Sequence, residues 1–483
     1  MVKGSRATIE LIEIPGQPVF ISLATAITRD IERGRLKPGD PLPGTRALAK
    51  ILKIHRNTVD AAYHELTMQG WLVAEASRGT FVARDLPVLA TTAASLPPAM
   101  RPAAARTGTP PPPLLRFSDG VPDPRLLPHA ELARAFRRSL STPAFLASDG
   151  SDDPLGSTAL RAALAGYLSQ ERGLALSEDD IIVTRGSQMA LFLAASAILA
   201  PGQAIAVEEP GYPLAWRAFR AAGARVIGVP VGAHGLDVER LAAVLAREPA
   251  LRAVYVTPHH HYPTTVTLGA GHRLKLIELA RRHGLAIIED DYDHEYRFEG
   301  RPVLPLAARA ASGTSVVFVG SLSKLLAPGI RLGYAVAEAG VLRRMAAQRE
   351  AIDRQGDLPL EQAVAALLRD GELGRHARKA RRIYHGRRDH LAAELRRHLA
   401  AELAFDVPAG GLAIWARARG GIDTIAWSAA ARRAGLEVRP GAAFCLDESA
   451  APQAFRLGFA NLNEPEISRA VKMLKRTRPA TAR

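Results

Sequence analysis

Residues 320–334 read GSLSKLLAPGIRLGY, entered from the apolar run SVVFVGS (315–321). Lys324 therefore stands just past the end of a candidate strand, flanked by Ser321 and Ser323, with Arg331 seven residues on. A lysine that forms a Schiff base must be available as the neutral amine, and a sheltered site with neighbouring cations lowers its pKa. Serine hydroxyls and an arginine fork suit a phosphate dianion. Taken alone, Ser-x-Ser-Lys is a weak pattern, and a surface lysine is its ordinary explanation.

Three other stretches weigh against that explanation. Gly186-Ser187-Gln188 joins the run IIVTRG (181–186) to an apolar helical stretch, which places backbone amides at a helix N-terminus where an anion is stabilised. Asp290 lies at the end of LAIIEDD (285–291), where a carboxylate can pair with a pyridinium nitrogen and make such a ring an electron sink. Tyr292 follows within reach of a ring hydroxyl, and Tyr212, in EEPGYP, is placed to stack on a ring face. Further apolar runs at 204–209, 225–231 and 253–258 alternate with helical patterns at 187–199, 213–223, 237–247 and 270–284. That alternation predicts a mostly parallel sheet covered by helices. From about 360 onward, long helical stretches with the short runs GLAIWARA and FRLGFA predict a smaller α+β subdomain.

Together these strings resemble the fold-type I aminotransferases over roughly residues 117–475. The resemblance implies pyridoxal 5′-phosphate on Lys324, with Asp290 at the pyridine nitrogen, Tyr292 at O3′ and Tyr212 stacked on the ring. It implies a phosphate pocket of Ser187, Gln188, Ser321 and Arg331, and a carboxylate grip on substrate or effector from Arg456 in FRLGFANL. Two departures stand out. Ser151-Asp152-Asp153-Pro154 replaces the Tyr-Gly-Asp-Pro of many relatives, and HHHYPTT carries Thr265 where Pro-Thr-Gly is common. Both leave cofactor binding in place and weigh against full transaminase turnover. His259, His260 and His261 are consecutive, and on an extended segment they would point to opposite faces, so no metal site is expected.

Upstream, residues 86–114 are Pro/Ala/Thr-rich and lack hydrophobic periodicity, as an interdomain linker does. The linker would divide a domain at 1–85 from one at 115–483, whose small subdomain runs over roughly 350–483. Within 17–34, Ile21, Ala24, Ile27 and Ile31 share a helical face. A second helix opens at Gly44 or Thr45, and a third, HRNTVDAAYHELTMQG, buries Val59, Ala62, Tyr63 and Leu66. WLVAEASRGTFVA then reads as two strands about a turn at Ser77-Arg78-Gly79, completing a winged helix-turn-helix. The third helix starts His55-Arg56-Asn57-Thr58, donors suited to base edges in the major groove. Arg46, Arg78 and Gly79 suit backbone or minor-groove contact. This segment resembles the GntR family of winged-helix regulators, whose DNA-contacting positions fall on Arg46, Arg56, Asn57, Thr58 and Gly79.

The 483 residues are 47% hydrophobic and 23% charged, ample for large cores. Net charge is +15, for which nucleic acid is the obvious candidate partner and a base-composition bias towards arginine the plain alternative, so that the motifs rather than the charge decide. The stretch 374–398, rich in arginine, reads as a solvated helix face or a second DNA surface. One cysteine, Cys445, excludes an intrachain disulfide and a multi-cysteine metal cluster. Without a long apolar run or an N-terminal apolar segment, a cytoplasmic chain is expected.

A GntR-like reader, a linker and an aminotransferase-like domain form a layout similar to the MocR/GabR subfamily. That implies a homodimer, with domains crossed between subunits, binding double-stranded operator DNA. It further implies that an amino acid, an amine or pyridoxal phosphate itself is sensed through an aldimine on Lys324. The alternative is a functional aminotransferase with an accessory DNA-binding domain.

Overall fold

Leu23 and Ile27 lie one helical turn apart and are fully buried, and they set the face by which α1 (Val19–Glu32) packs. Ala24 joins them, whereas Ile21 and Ile31 of the expected face are only half-buried, because the apolar stripe centres on Leu23. α2 (Thr45–Leu52) follows, with Gly44 as its N-cap. α3 (Arg56–Met68) buries Val59, Ala62, Tyr63 and Leu66, as the three-and-four spacing predicts. The Tyr63 hydroxyl donates to the Pro43 carbonyl at 2.8 Å and ties α3 to the loop before α2. β1 (Leu72–Glu75) and β2 (Gly79–Val82) pair antiparallel, Leu72 opposite Val82, and both of those side chains are buried.

In this computed structural model the described residues are 11, 18–76, 78–86, 114–148, 153–300, 303–310 and 313–479. The chain divides into two compact units, Met1–Gly108 and Thr109–Arg483. The division falls within the expected linker at 86–114, of which residues 87–113 lie outside the described residues, as does Ser77 of the expected turn.

The second unit has as its first strand among the described residues a short one, β3 (Leu115–Arg116). Its main sheet is built from β4 (Ile181–Thr184), β5 (Ala204–Glu209), β6 (Arg225–Gly232), β7 (Gly235–Leu236), β8 (Leu251–Val256), β9 (Ala286–Asp291), β10 (Val316–Ser321) and β11 (Gly333–Val336). The eight strands run in the order β4-β11-β10-β9-β8-β5-β6-β7. The five from β10 to β6 are parallel, whereas β11 is antiparallel to both its neighbours. β4 and β9 are buried along their whole length; β4 accordingly reads as an apolar run, whereas β9 is apolar over Ala286–Ile288 and ends in the buried carboxylates Glu289, Asp290 and Asp291. The helices Ser187–Ile198 and Ala339–Asp353 share one core with this sheet, and Val238–Arg247 and Ala270–His283 share another.

A second, four-stranded antiparallel sheet follows: β12 (Leu403–Ala404), β13 (Ala413–Ala418), β15 (Arg439–Pro440) and β16 (Ala454–Gly458), in the order β12-β13-β16-β15. β14 (Leu436–Glu437) pairs instead with β3, and Phe117 is buried in the same core as Trp427 and Phe455. The start of the second unit is thus packed into the C-terminal sheet's core, while Ala339–Asp353 belongs to the core of the main sheet. On the helix Glu372–Leu399, Arg387 and Arg388 are buried and paired with Asp123 and Glu299, and Arg375, Arg378, Arg381, Arg382, Arg396 and Arg397 are exposed. Among the described residues no helix is long and apolar enough to cross a membrane.

Candidate functional site

Parallel strands deliver their carboxyl ends to one side of a sheet, and in open α/β folds that is where ligands bind. Lys324 sits in the turn that follows β10. Its amine donates to the Asp119 backbone carbonyl at 3.0 Å, and the Tyr296 hydroxyl donates to the Lys324 carbonyl, also at 3.0 Å. Burial depresses the Lys324 pKa; Asp119, Asp293 and Asp290 pull it upward and Arg456 adds to the depression, which prevails.

Asp290 is next to last in β9. Its Oδ2 accepts from the Tyr255 hydroxyl at 2.9 Å, and its Oδ1 is buried without a partner. Burial raises this carboxyl to about 7. An unsatisfied buried acceptor costs about 1–3 kcal/mol, and a cationic N–H donor would remove that cost.

A raised acid has a sign that can be tested. Asp290 favours the folded state fully below its ordinary pKa, near 4, and that contribution is lost as pH climbs towards 7. The lost stability amounts to a few kcal/mol at most. In the cofactor-free protein, Asp290→Asn should therefore flatten the fall in melting temperature between pH 5 and pH 8. Thermal melts across that range check it, and an unchanged slope contradicts it.

The expected phosphate residues converge from three segments. Gly186 precedes the helix Ser187–Ile198 with φ +77°, and the Arg331 guanidinium lies where a Cβ on Gly186 would come within 3.3 Å of it. Arg331 has left-handed backbone, φ +51°, and its Nη2 donates to the Arg185 carbonyl at 3.1 Å. Gly333 faces Ser321 across the β10–β11 pair, and a Cβ on Gly333 would stand 2.7 Å from the Ser187 nitrogen. Ser321, Arg331 and the helix start are brought together this way. Ser321 Oγ accepts from the Ser323 amide at 3.3 Å, whereas Ser323 Oγ and Gln188 Oε1 are buried without partners. Gln188 Nε2 donates to the Leu214 carbonyl at 2.6 Å.

Tyr212 and Tyr292 both pack against Tyr262, a residue that sequence reasoning missed. The Tyr212 ring meets it edge-on at 4.9 Å, and the Tyr292 ring does so at 6.1 Å. The Tyr292 hydroxyl donates to the His260 carbonyl at 3.0 Å. Arg456, on β16, stacks over Tyr262 at 4.5 Å and donates from Nη1 to the Pro263 carbonyl at 2.6 Å. Its Nε donates to Asp119 Oδ1 at 2.9 Å. Asp119 and Arg439 were missed too. Arg439 faces Arg456 across the β15–β16 pair and donates to Asp119 Oδ2 at 2.8 Å.

The three histidines are buried, and the expectation that they splay is corrected in part. The chain bends there instead of running extended, and the His259 and His260 rings lie 4.2 Å apart. His260 Nδ1 is 2.8 Å from Asp293 and His261 Nδ1 is 2.6 Å from Thr264 Oγ1. Among the described residues no group of three or more His, Cys, Asp or Glu is arranged to hold a metal ion. Thr265 adopts φ +66°, a conformation glycine takes more easily, and Ser151 and Asp152 lie outside the described residues.

In the first unit, His55 caps α3, its Nδ1 accepting from the Asn57 amide at 3.2 Å. Arg56, Asn57 and Thr58 form the exposed or half-exposed first turn behind it. Arg56 pairs with Asp60 at 3.3 Å and Arg78 with Glu75 at 2.6 Å, both as exposed surface pairs worth about 1 kcal/mol or less. Neither arginine is held back from a phosphate or a base. Gly79 has φ +113° with open space around it, so backbone conformation rather than crowding selects glycine there. Arg46 is exposed on the first turn of α2.

Residues 22–82 match the gntR family of bacterial regulatory proteins, and residues 123–474 match class I and II aminotransferases. The chain is 32% identical over 428 residues to the probable rhizopine catabolism regulatory protein MocR of Rhizobium meliloti, covering 86% of this chain and 84% of that one. It is 34% identical over 376 residues to the pyridoxine biosynthesis transcriptional regulator PdxR of Corynebacterium glutamicum, covering 77% and 78%. Among solved structures it is similar to LysN, the α-aminoadipate aminotransferase of Thermus thermophilus complexed with N-(5′-phosphopyridoxyl)-L-leucine. There the TM-score is 0.68 at 28% identity, over 76% of this chain and 92% of the other. With a DNA-binding winged helix and a fold-type I domain whose cofactor is pyridoxal 5′-phosphate, the chain belongs to the MocR-type transcription regulators of the GntR family.

Proposed function

We propose that this regulator's DNA reading responds to an amino compound received at Lys324 in the presence of pyridoxal phosphate. The observation that carries this is the unpaired, buried Oδ1 of Asp290, in a site that also holds a depressed lysine amine and a buried arginine. When bound, pyridoxal phosphate supplies an aldehyde that takes up amines and a ring that withdraws electrons. Lys324 would hold the cofactor covalently, and Asp290 Oδ1 would accept from its pyridine nitrogen. Ser321, Arg331 and the Ser187–Gln188 amides would hold its phosphate, while Tyr212 would cover the ring and Tyr292 its hydroxyl. Arg456 would orient the anionic end of the incoming compound. The names of the relatives, one tied to pyridoxine biosynthesis and one to rhizopine catabolism, support a small-molecule signal.

The working unit in this proposal is a homodimer with crossed domains reading two half-sites, the way winged and other helix-turn-helix proteins meet a two-fold operator. A ligand alters DNA reading only if it binds one arrangement of the dimer more tightly than the other. A functional aminotransferase is the second reading, favoured by the presence of Lys324, Asp290 and Arg456 in one site. The test is operator binding by the cofactor-loaded full chain with and without added amino acids and amines. Ligand-dependent binding supports the regulator; sustained keto-acid production by the same preparation, with DNA binding unmoved, supports the enzyme.

A further inference from the structure

Arg456 is almost wholly buried, and a buried guanidinium left without a counter-ion costs several kcal/mol. The chain supplies that counter-ion from within. Asp119 receives Arg456 Nε at 2.9 Å and Arg439 Nη1 at 2.8 Å, and it accepts from the Tyr262 hydroxyl as well. The same residue's backbone carbonyl receives the Lys324 amine at 3.0 Å. One residue thus occupies both poles of the site, the amine acceptor and the anion grip.

The two guanidiniums come from adjacent strands, Arg439 directly opposite Arg456, and Arg439 also stacks on Phe444 at 4.8 Å. Two cations share one carboxylate, so the cluster keeps an excess positive charge and favours an anion over a neutral group. Burial raises the Asp119 pKa, yet Arg456, Lys324, Tyr262 and Arg439 outweigh it, and the carboxyl is held below its ordinary range. It is therefore ionised at neutral pH.

We infer that Asp119 is a specificity-determining residue whose carboxylate stands in for a ligand's anionic group on Arg456 and Arg439, so that an anionic amino compound must displace it. This rests on the proposed ligand response at Lys324. A neutral or purely cationic amine cannot displace Asp119 without leaving Arg456 uncompensated. The effector class it selects is an amino compound that carries a carboxylate or a comparable anion. Displacement would also loosen the chain next to β3, the described part of the second unit nearest in sequence to the DNA reader.

The test uses the full chain with Asp119→Asn and, as a second variant, Asp119→Ser. In the cofactor-loaded proteins, visible absorbance is titrated with L-alanine and with L-alaninamide, which differ in the carboxylate. Losing the internal competitor should shift the affinity ratio towards L-alanine by about tenfold or more, given the cost of an uncompensated buried charge. In the cofactor-free proteins, sodium propionate should raise the melting temperature of the variants more than sodium chloride at equal ionic strength, and should leave the original protein unmoved. An unmoved alanine-to-alaninamide ratio, or propionate stabilising the variants no more than the original, overturns the inference. If no amine changes the absorbance of any of the proteins, the proposed ligand response fails, and the propionate comparison alone then decides the role of Asp119.

Discussion

Replacing Lys324 with alanine is expected to abolish the visible absorbance that covalently held pyridoxal phosphate gives the protein, and with it every amine-dependent change in operator binding. The amine is the only covalent handle that the site residues named here offer, and its burial keeps it in the reactive neutral form more readily than a surface lysine. Its present hydrogen bond, to the Asp119 carbonyl, is a single neutral acceptor that alanine would leave without a donor. That loss is worth about 1–3 kcal/mol, too little to unfold the domain. The variant should therefore keep its far-ultraviolet circular dichroism and bind DNA in one fixed mode. Absorbance scans and fluorescence anisotropy on an operator fragment measure both effects. A variant that still responds to amines would place the ligand elsewhere.

Arg56→Ala is expected to weaken specific DNA binding by about 10- to 100-fold, the cost of one good bidentate base contact, while pyridoxal phosphate absorbance stays intact. Arg56 opens α3, and its pairing with Asp60 is exposed enough to be exchanged for DNA at little cost. The selective loss should appear as a fall in specific relative to non-specific binding at constant salt. A uniform loss across sequences with a shallower salt slope would instead make Arg56 a phosphate contact. Loss of DNA binding and cofactor binding together would contradict the separation of the two units.

How much of this was legible beforehand depends on where each feature's cause lies. Six strands of the main sheet, β4, β5, β6, β8, β9 and β10, and the helices between them were legible as short runs rich in apolar and β-branched residues, most of them because the strand is buried on both faces and β6, largely half-exposed, through its Val/Ile content. β11 was not, because its first two residues, Gly333 and Tyr334, belong to the lysine segment at 320–334 and no separate apolar run marks it. The buried face of α3 was read correctly, and that of α1 was read off-centre by one residue. In the site, Lys324, Asp290 and Arg456 each carry a local pattern. Asp119 carries none beyond an Asp-Gly turn signal, and it meets Arg456 across 337 positions of chain. Tyr262 and Arg439 belong to the same class, residues whose role exists only once β15, β16 and the Tyr262 turn are assembled. For the histidines only the geometry differs from the expectation, because an extended segment was assumed where the chain bends.

The measurement that bears most directly on the central claim is footprinting of the cofactor-loaded full chain on DNA selected from a random pool by that same protein. Lanes with and without each amine in a panel of L-amino acids and simple amines are compared, with Lys324→Ala alongside. At least one compound should change the protected positions or the affinity in the original protein and leave Lys324→Ala unmoved. Protection that is identical across the whole panel, or that shifts equally in Lys324→Ala, would contradict a DNA reader governed from Lys324.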